Sequence, residues 1–478
     1  MTFQILVEVM FFASTRNERC TLPVTEAITK GMAPDGGLFV PAQFPEASLE
    51  GLLDKNYIET AWCILSPFLS QIEDLENFIY RAYKEYQPVE IRYLHDKLTV
   101  LELFHGMSFA FKDVALQLLP CLLSYSIKTS GEKRKAVILT ATSGDTGSSC
   151  MAGFADVPNT EVIVFYPYEG ISRIQKLQMT TQEGKNVHAV AIRGNFDDAQ
   201  RAVKELFLDA AFTKEFEEQY LFTSANSINI GRLIPQVVYF FYCYTQLVKC
   251  NRIKRGERVN FTVPTGNFGN ILAGYYAQKM GLPIHKLICA TNRNSVLYDF
   301  FHTGVYNRNR DFWVTLSPSM DILISSNFER LIYHFGGCEL VKQSQKDLCE
   351  KGTFTIPAPV FKQINALFSS AMVDDSETEA MIKKVYERYG YIFDPHSAVA
   401  MGAMEKYIHA TDDNTCNVIV ATASPYKFPE TVERALGKPL DKSNCPEHLN
   451  NLSKKKVLHH EIVEKNEIYK VIRRIIKK

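Results

Sequence analysis

Apolar runs of six or seven residues, each followed by a turn and then by helical spacing, recur through the middle of the chain. Residues 135–140, 161–166 and 186–192 read as buried strands, and the spacing at 171–181 predicts a helix between the last two. Asn195-Phe-Asp-Asp198 reads as a helix start, with Asn195 as the cap and the two acids at the positive end of the dipole. It opens an amphipathic helix running to residue 208. A second block follows: a long helix at 228–247, a strand at 259–263, a helix at 271–280 closed by Gly281, and strands at 287–290 and 417–423. Strands that alternate with helices predict α/β architecture, with parallel sheets covered on both faces. Ahead of these blocks, a Pro-Asp-Gly-Gly turn at 34–37 and helical spacing at 50–86 predict an N-terminal unit whose role is packing. The stretch 295–407 reads as a mainly helical insertion without an assigned place in a sheet.

At 478 residues the chain is too long for one ordinary core. The pattern changes divide it into an N-terminal unit 1–95, a smaller α/β domain 96–225, a larger α/β domain 226–440 and a charged tail 441–478. That tail carries Lys454-Lys455-Lys456 and ends on Lys477-Lys478, and it reads as a solvated face. With 53 basic and 53 acidic residues there is no global electrostatic reason to expect a nucleic acid or an anionic membrane as partner. A small molecule fits better. Eleven cysteines without a CxxC pair, several of them in apolar runs, read as reduced thiols in a cytoplasmic protein rather than as a disulfide frame or a metal site. Residues 1–12 are apolar but lack a basic flank and are too short to span a bilayer. A monomer or homodimer is expected.

The chemistry-bearing residues fall at the turns. HGMSFAFKD at 105–113 sets a single lysine, Lys112, in an apolar frame of Phe109, Ala110 and Phe111, where desolvation disfavours the ammonium form and frees the amine to attack a carbonyl. ATSGDTGSS at 141–149 and PTGNFGN at 264–270 are glycine-bearing strand-to-helix turns, and either can present backbone N–H groups to an anion. Local physics does not choose between them. Arg232 in NSINIGR, and Arg173 or Lys176 in ISRIQK, offer cations for a phosphate, and Asn226, Ser227 and Asn229 offer neutral hydrogen bonds. ATASPYKFPE at 421–430 brings hydroxyls at Thr422 and Ser424, with Ser424-Pro425 also a good helix entry. His105 and His396 stand close in sequence to these motifs.

Taken in order, HGMSFAFKD, ATSGDTGSS, NSINIGR, PTGNFGN and ATASPYKFPE resemble the motifs of the threonine synthase family of pyridoxal-phosphate enzymes. STRN at 14–17 and APDGGLF at 33–39 extend the likeness toward the front. The resemblance implies the type II fold of these enzymes: two parallel-sheet α/β domains with an N-terminal extension. It implies pyridoxal 5'-phosphate as cofactor, carried by Lys112, with Thr265, Gly266, Asn267, Phe268 and Gly269 around its phosphate and Thr422 at its ring nitrogen. Thr142, Ser143, Gly144, Asp145 and Thr146 are then expected toward the substrate, with Asn226 and Arg232. Related enzymes of the fold often place an amide where Asp145 stands, so this acid has to be protonated or aimed at a donor. The implied reaction converts O-phospho-L-homoserine and water to L-threonine and phosphate; Lys112 moves the Cα proton, phosphate leaves Cγ and water adds at Cβ. Threonine synthase-like enzymes that release 2-oxobutyrate from the same substrate are the nearest alternative, and a non-catalytic binding protein is a more distant one. Family members begin close before STR, which makes Met10 an expected start.

Overall fold

Two parallel sheets stand at the centre of the molecule. The computed structural model describes residues 9–477 except Ser143, Gly170 and Asn195, so the readings made for residues 1–8, for Ser143 and for the Asn195 cap lie outside the described residues. The larger sheet has six strands in the order Phe368–Met372, Ile284–Thr291, Val259–Pro264, Cys416–Ala421, Leu98–Glu102, Glu90–His95; only the last pairing is antiparallel. The smaller sheet is wholly parallel, in the order Glu461–Glu464, Val187–Arg193, Thr160–Pro167, Lys135–Ala141, Tyr220–Ser224. Its central strand, Thr160–Pro167, is buried along its whole length, as expected of a parallel strand covered on both faces.

Several boundaries differ from the sequence reading. Leu98–Glu102 pairs with Cys416–Ala421 in the larger sheet, so the strand leading to Lys112 is not part of the smaller sheet, where a boundary at 96 had put it. The tail is not a solvated face. Glu461–Glu464 extends the smaller sheet, and the helix Ile468–Ile476 buries Ile468, Val471, Ile472, Ile475 and Ile476 against Val137, Leu139, Ile163 and Phe165. The helix expected at 228–247 is broken near Pro235 into Ile230–Leu233, a 3-10 turn Ile234–Gln236 and Val237–Lys249. The insertion is largely helical but also supplies the edge strand Phe368–Met372 of the larger sheet.

The N-terminal unit adds a three-stranded antiparallel sheet of Phe11–Ser14, Asn17–Pro23 and Phe39–Pro41. Its helix Tyr57–Leu65 starts at a reciprocal cap between Asn56 and Glu59. Tyr57 of that helix packs edge-on against Tyr242 of Val237–Lys249, with ring centres 5.3 Å apart. The STRN motif acts as a clamp: Thr15 and Arg16 both donate to the Glu329 carboxylate, at 2.6 Å from the Thr15 hydroxyl and 2.8 Å from Arg16 Nη2. Arg330, fully buried, donates from Nε to the Phe39 carbonyl at 2.9 Å and from Nη2 to the Ile228 carbonyl at 2.6 Å. Neighbouring residues of the insertion thereby fasten the N-terminal unit to the NSINIGR segment.

Candidate active site

Five of the motifs singled out in the sequence each follow the carboxyl end of a parallel strand. HGMSFAFKD follows Leu98–Glu102, TGNFGN follows Val259–Pro264 and TASPYK follows Cys416–Ala421 in the larger sheet; SGDTG follows Lys135–Ala141 and NSINIGR follows Tyr220–Ser224 in the smaller. Crevices at these ends are where open α/β sheets bind ligands. The five segments enclose one cavity, into which Lys112, Thr142, Asn226, Arg232, Gly266 and Thr422 all open.

The lysine segment is fixed from three sides. The Phe111 N–H donates to the Thr422 carbonyl at 2.8 Å and the Ser424 N–H to the Phe109 carbonyl at 3.1 Å, which pins the loop to the end of the neighbouring strand. Asp113, buried, accepts from the Ser108 N–H and hydroxyl at 2.8 Å each and from the Ser149 hydroxyl at 2.5 Å. This carboxylate holds the lysine loop against the helix Asp145–Phe154 of the smaller domain. Burial pushes the Asp113 carboxyl up, and its Ser149 and Ser108 donors oppose that.

Lys112 presents a side chain only 11 % exposed, with Nζ 3.7 Å from Asp145 Oδ2. Burial brings its amine down from 10.5 to about 8; Asp145 opposes the fall, while Lys427 and Arg232 add to it. Asp145 meets the second of the conditions set for it, because it is aimed at donors. Lys427 Nζ lies 2.6 Å from Oδ1, Gln175 Nε2 donates to Oδ1 at 2.8 Å and the Ser319 hydroxyl to Oδ2 at 3.3 Å. Burial alone would raise the Asp145 carboxyl, but Lys427 and Lys112 hold it well below the ordinary carboxylate range. Gly144 (φ 131°) makes this arrangement accessible: a Cβ there would meet the Gln175 side chain at 2.6 Å.

The TGNFG loop ends at the helix Gly269–Lys279, whose cap position Phe268 is left-handed (φ 63°) and supplies no side-chain cap. The Ile271 N–H is met by Asn270 Oδ1 at 2.9 Å, and the remaining first-turn N–H groups, at Gly269 and Asn270 beside the cavity, make an anion seat. A Cβ on Gly266 would strike the Ser319 carbonyl at 2.5 Å. The insertion stitches the loop in place, with the Ser325 hydroxyl donating to the Gly266 carbonyl at 2.8 Å and the Asn327 N–H to the Asn267 carbonyl at 3.1 Å. Arg232 is 2 % exposed and donates from Nη1 to the Ala225 carbonyl, yet its Nε has no partner, and no carboxylate pairs with it among the described residues. Burial brings its guanidinium down to about 10. An unpaired cation facing a cavity is suited to an anionic ligand.

Some expected site residues also serve the scaffold. Thr265 donates its hydroxyl to the Val263 carbonyl at 2.7 Å, and the Phe268 ring packs against Phe328 and Phe368. Asn229 caps Ile230–Leu233 and donates to the Ile28 carbonyl. The Thr142 hydroxyl accepts the Gly144 and Gly147 N–H groups while still lining the cavity beside Thr146. Arg173 is exposed and Lys176 lies over the Tyr168 ring, so neither reaches the cavity; Gln175 and Gln178 are the residues of that helix that meet the site, through Asp145 and the Ser108 carbonyl. His105 pairs with Glu102 outside the cavity. His396 lines it, with Nδ1 2.7 Å from Asp394 and Nε2 accepting the Ser319 N–H at 3.1 Å, which leaves Nε2 as the acceptor nitrogen. Ser424 caps the turn Pro425–Lys427. Lys427, Gln175 and Asp113 were missed as site residues, although all three sit inside quoted motifs.

This fold and site define the class. The family described as pyridoxal-phosphate dependent enzymes matches residues 94–422, which embrace four of the cavity segments and reach Thr422, the first residue of the fifth. Two further matches, to the threonine synthase N terminus over residues 11–83 and the threonine synthase C-terminal region over 397–476, flank it. The chain belongs to the threonine synthase family. It is 37 % identical over 484 residues to threonine synthase of Saccharomyces cerevisiae, covering 92 % of this chain and 93 % of the relative. It is 38 % identical over 456 residues to human threonine synthase-like 1, covering 89 % of this chain and 60 % of that one. The structure of pyridoxal-phosphate-bound threonine synthase from Brucella melitensis superposes with a TM-score of 0.88 at 36 % identity, over 98 % of this chain and all of the other. The residues present suit that cofactor: a nearly buried amine for its aldehyde, an uncapped helix start for its phosphate, and a further unpaired guanidinium for a second anion. Among the described residues no helix is long and apolar enough to cross a membrane.

Proposed function

We propose that this chain converts O-phospho-L-homoserine and water to L-threonine and phosphate, with Lys112 as its catalytic amine. The observation that carries the reading is the pairing, in one buried cavity, of an amine brought down to about 8 with an arginine whose Nε lacks a partner. Pyridoxal phosphate, when bound, supplies the electron sink that makes protons at Cα and Cβ of an amino acid removable. Lys112 holds the cofactor and then takes and returns protons at Cα, a task matched to an amine that is partly neutral near physiological pH. The helix start at Gly269, with Gly266 and Asn267, holds the cofactor phosphate. Thr422, fixed through its carbonyl to Phe111, offers a neutral hydroxyl to the cofactor ring.

Arg232 takes the substrate phosphate, with Asn226 and Ser227 beside it, and neutralises charge as that group leaves Cγ. Thr142 and Thr146 line the opposite wall, toward the substrate carboxylate. A larger cavity of about 640 Å³ adjoins the site and shares Ala141 and Asn226 with it, which supports entry of the substrate from that side. Eleven unpaired cysteines support a reducing, cytoplasmic setting.

Incubation of the purified protein with O-phospho-L-homoserine tests the reading. It requires equal amounts of phosphate and threonine. Phosphate with 2-oxobutyrate would assign the lyase reaction to the same site, and absence of phosphate release would remove the enzyme reading altogether.

A further inference from the structure

Lys427 is the most deeply buried ammonium group near the cavity, with no measurable exposure. It stands on the turn Pro425–Lys427 that follows a strand of the larger sheet, yet its partner Asp145 opens the helix Asp145–Phe154 of the smaller domain. Besides the 2.6 Å contact to Asp145 Oδ1, Lys427 Nζ donates to the Ser108 carbonyl at 2.7 Å, in the loop that carries Lys112. Gln178 Nε2 donates to the same carbonyl at 3.0 Å. One ammonium group therefore joins three segments: the end of the larger sheet, the lysine loop and the SGDTG turn.

The carboxylate between the two lysines is shared unequally. Oδ1 takes Lys427 and Gln175, and Oδ2 faces Lys112 at 3.7 Å with the Ser319 hydroxyl beside it. Gln175 is buried and its helix is capped by Ser172, so the amide that orients Oδ1 is itself fixed. The other charged or titratable groups around Lys112 are Arg232 from Ile230–Leu233, Asp113 from its own loop, whose carboxylate also feels Lys427, and His396 on the far wall, engaged by Asp394 and Ser319. Of these, only Asp145 forms an ion pair with Lys112 among the described residues.

We propose that Lys427 is a positioning residue for the reaction: its ammonium group fixes Asp145 as a carboxylate turned toward Lys112, and so poises the Lys112 amine between its charged and neutral forms. Without Lys427 the carboxylate would have Lys112 as its sole cationic partner, and Lys112 would be drawn to the ammonium form. Removal of the Lys427 charge acts in the same direction, because two like charges near each other disfavour both. The proposal rests on Lys112 being the reacting amine.

Competitive labelling of the cofactor-free full-length protein with acetic anhydride, followed by mass spectrometry of the Lys112 peptide, reads the titration of that one amine. The wild-type midpoint is expected near pH 8. In Lys427→Met it moves up by about one pH unit or more, and the alkaline shift reappears in the acid limb of kcat for the holoenzyme, since kcat reports the complex in which the amine is free. Lys427→Arg, which keeps the charge, stays near wild type. A Lys427→Met midpoint equal to that of wild type overturns the proposal. If Lys427→Met does not fold, the doubly neutral variant Asp145→Asn with Lys427→Met removes both charges of that buried pair together. Burial and Arg232 then act on Lys112 unopposed, so its midpoint falls below that of wild type; an unchanged midpoint overturns the proposal there as well. These results are separable from the assignment of Lys112 itself, which fails only if the cofactor is found attached elsewhere.

Discussion

The Phe111 N–H donates to the Thr422 carbonyl at 2.8 Å, and the isolated bridge between Ala110 and Ala423 continues that contact. The lysine loop is thus registered, residue against residue, on the end of the strand Cys416–Ala421, although more than three hundred residues separate the two in sequence. The geometry of the amine follows from this backbone contact as much as from its own side chain. Replacing Phe111 by Pro removes the donor and is expected to lower kcat about 10²-fold while secondary structure by circular dichroism is retained.

Lys112→Ala removes the proposed proton carrier and is expected to lower kcat by about 10²–10⁴-fold. Cofactor binding measured by equilibrium dialysis weakens as well. Turnover at the wild-type level would contradict the role.

The depressed amine also predicts a pH dependence of stability. Folded Lys112 loses its proton near pH 8, whereas in the unfolded chain the same group holds it to about 10.5. Between these values the unfolded state binds more protons, so this group's contribution to stability rises with pH across that window and is unfavourable below pH 8. Denaturant titrations of the cofactor-free protein and of Lys112→Met, from pH 7 to 10, should therefore show the wild type gaining on the variant as pH rises. A constant difference between them would show that the amine is not depressed.

Arg232 separates ligand binding from folding. Its Nε lacks a partner, so Arg232→Met removes one buried hydrogen bond, to the Ala225 carbonyl, together with an unpaired buried charge, and the unliganded protein is expected to stay within about 1–3 kcal/mol of wild type. The same change should lower kcat/KM for the phosphorylated substrate roughly 10- to 100-fold, and inorganic phosphate should raise the thermal midpoint of the wild type but not of the variant.

Arg330 and Ile472 test the scaffold. Arg330→Met leaves the Phe39 and Ile228 carbonyls without this donor in a buried place, and a loss of about 3 kcal/mol or more is expected in urea titration. Ile472→Ala, on a helix expected from sequence to be solvated, is expected to cost about 2–5 kcal/mol.

Most inner strands of both sheets were legible in the sequence because parallel strands buried on both faces are continuous apolar runs, as in Lys135–Ala141 and Thr160–Pro167; the inner strand Leu98–Glu102 of the larger sheet was not. Edge strands were not. Glu461–Glu464 is only four residues long, two apolar residues between two glutamates, and Phe368–Met372 carries two serines, so neither has the length or composition that separates a strand from a loop. The cavity-forming loops were readable because glycine and a lone lysine in an apolar frame are local signals. Lys427, Gln175 and Asp113 were not readable as site residues, since a buried polar group and a surface one look alike until their partners, up to hundreds of residues away, are brought beside them.

Borohydride reduction of the pyridoxal-phosphate-loaded protein, followed by peptide mass mapping, tests the central claim most directly. The added phosphopyridoxyl mass is expected on the peptide containing Lys112, and Lys112→Ala should take up none. Attachment at another lysine, or an unlabelled Lys112 in active protein, would contradict the account.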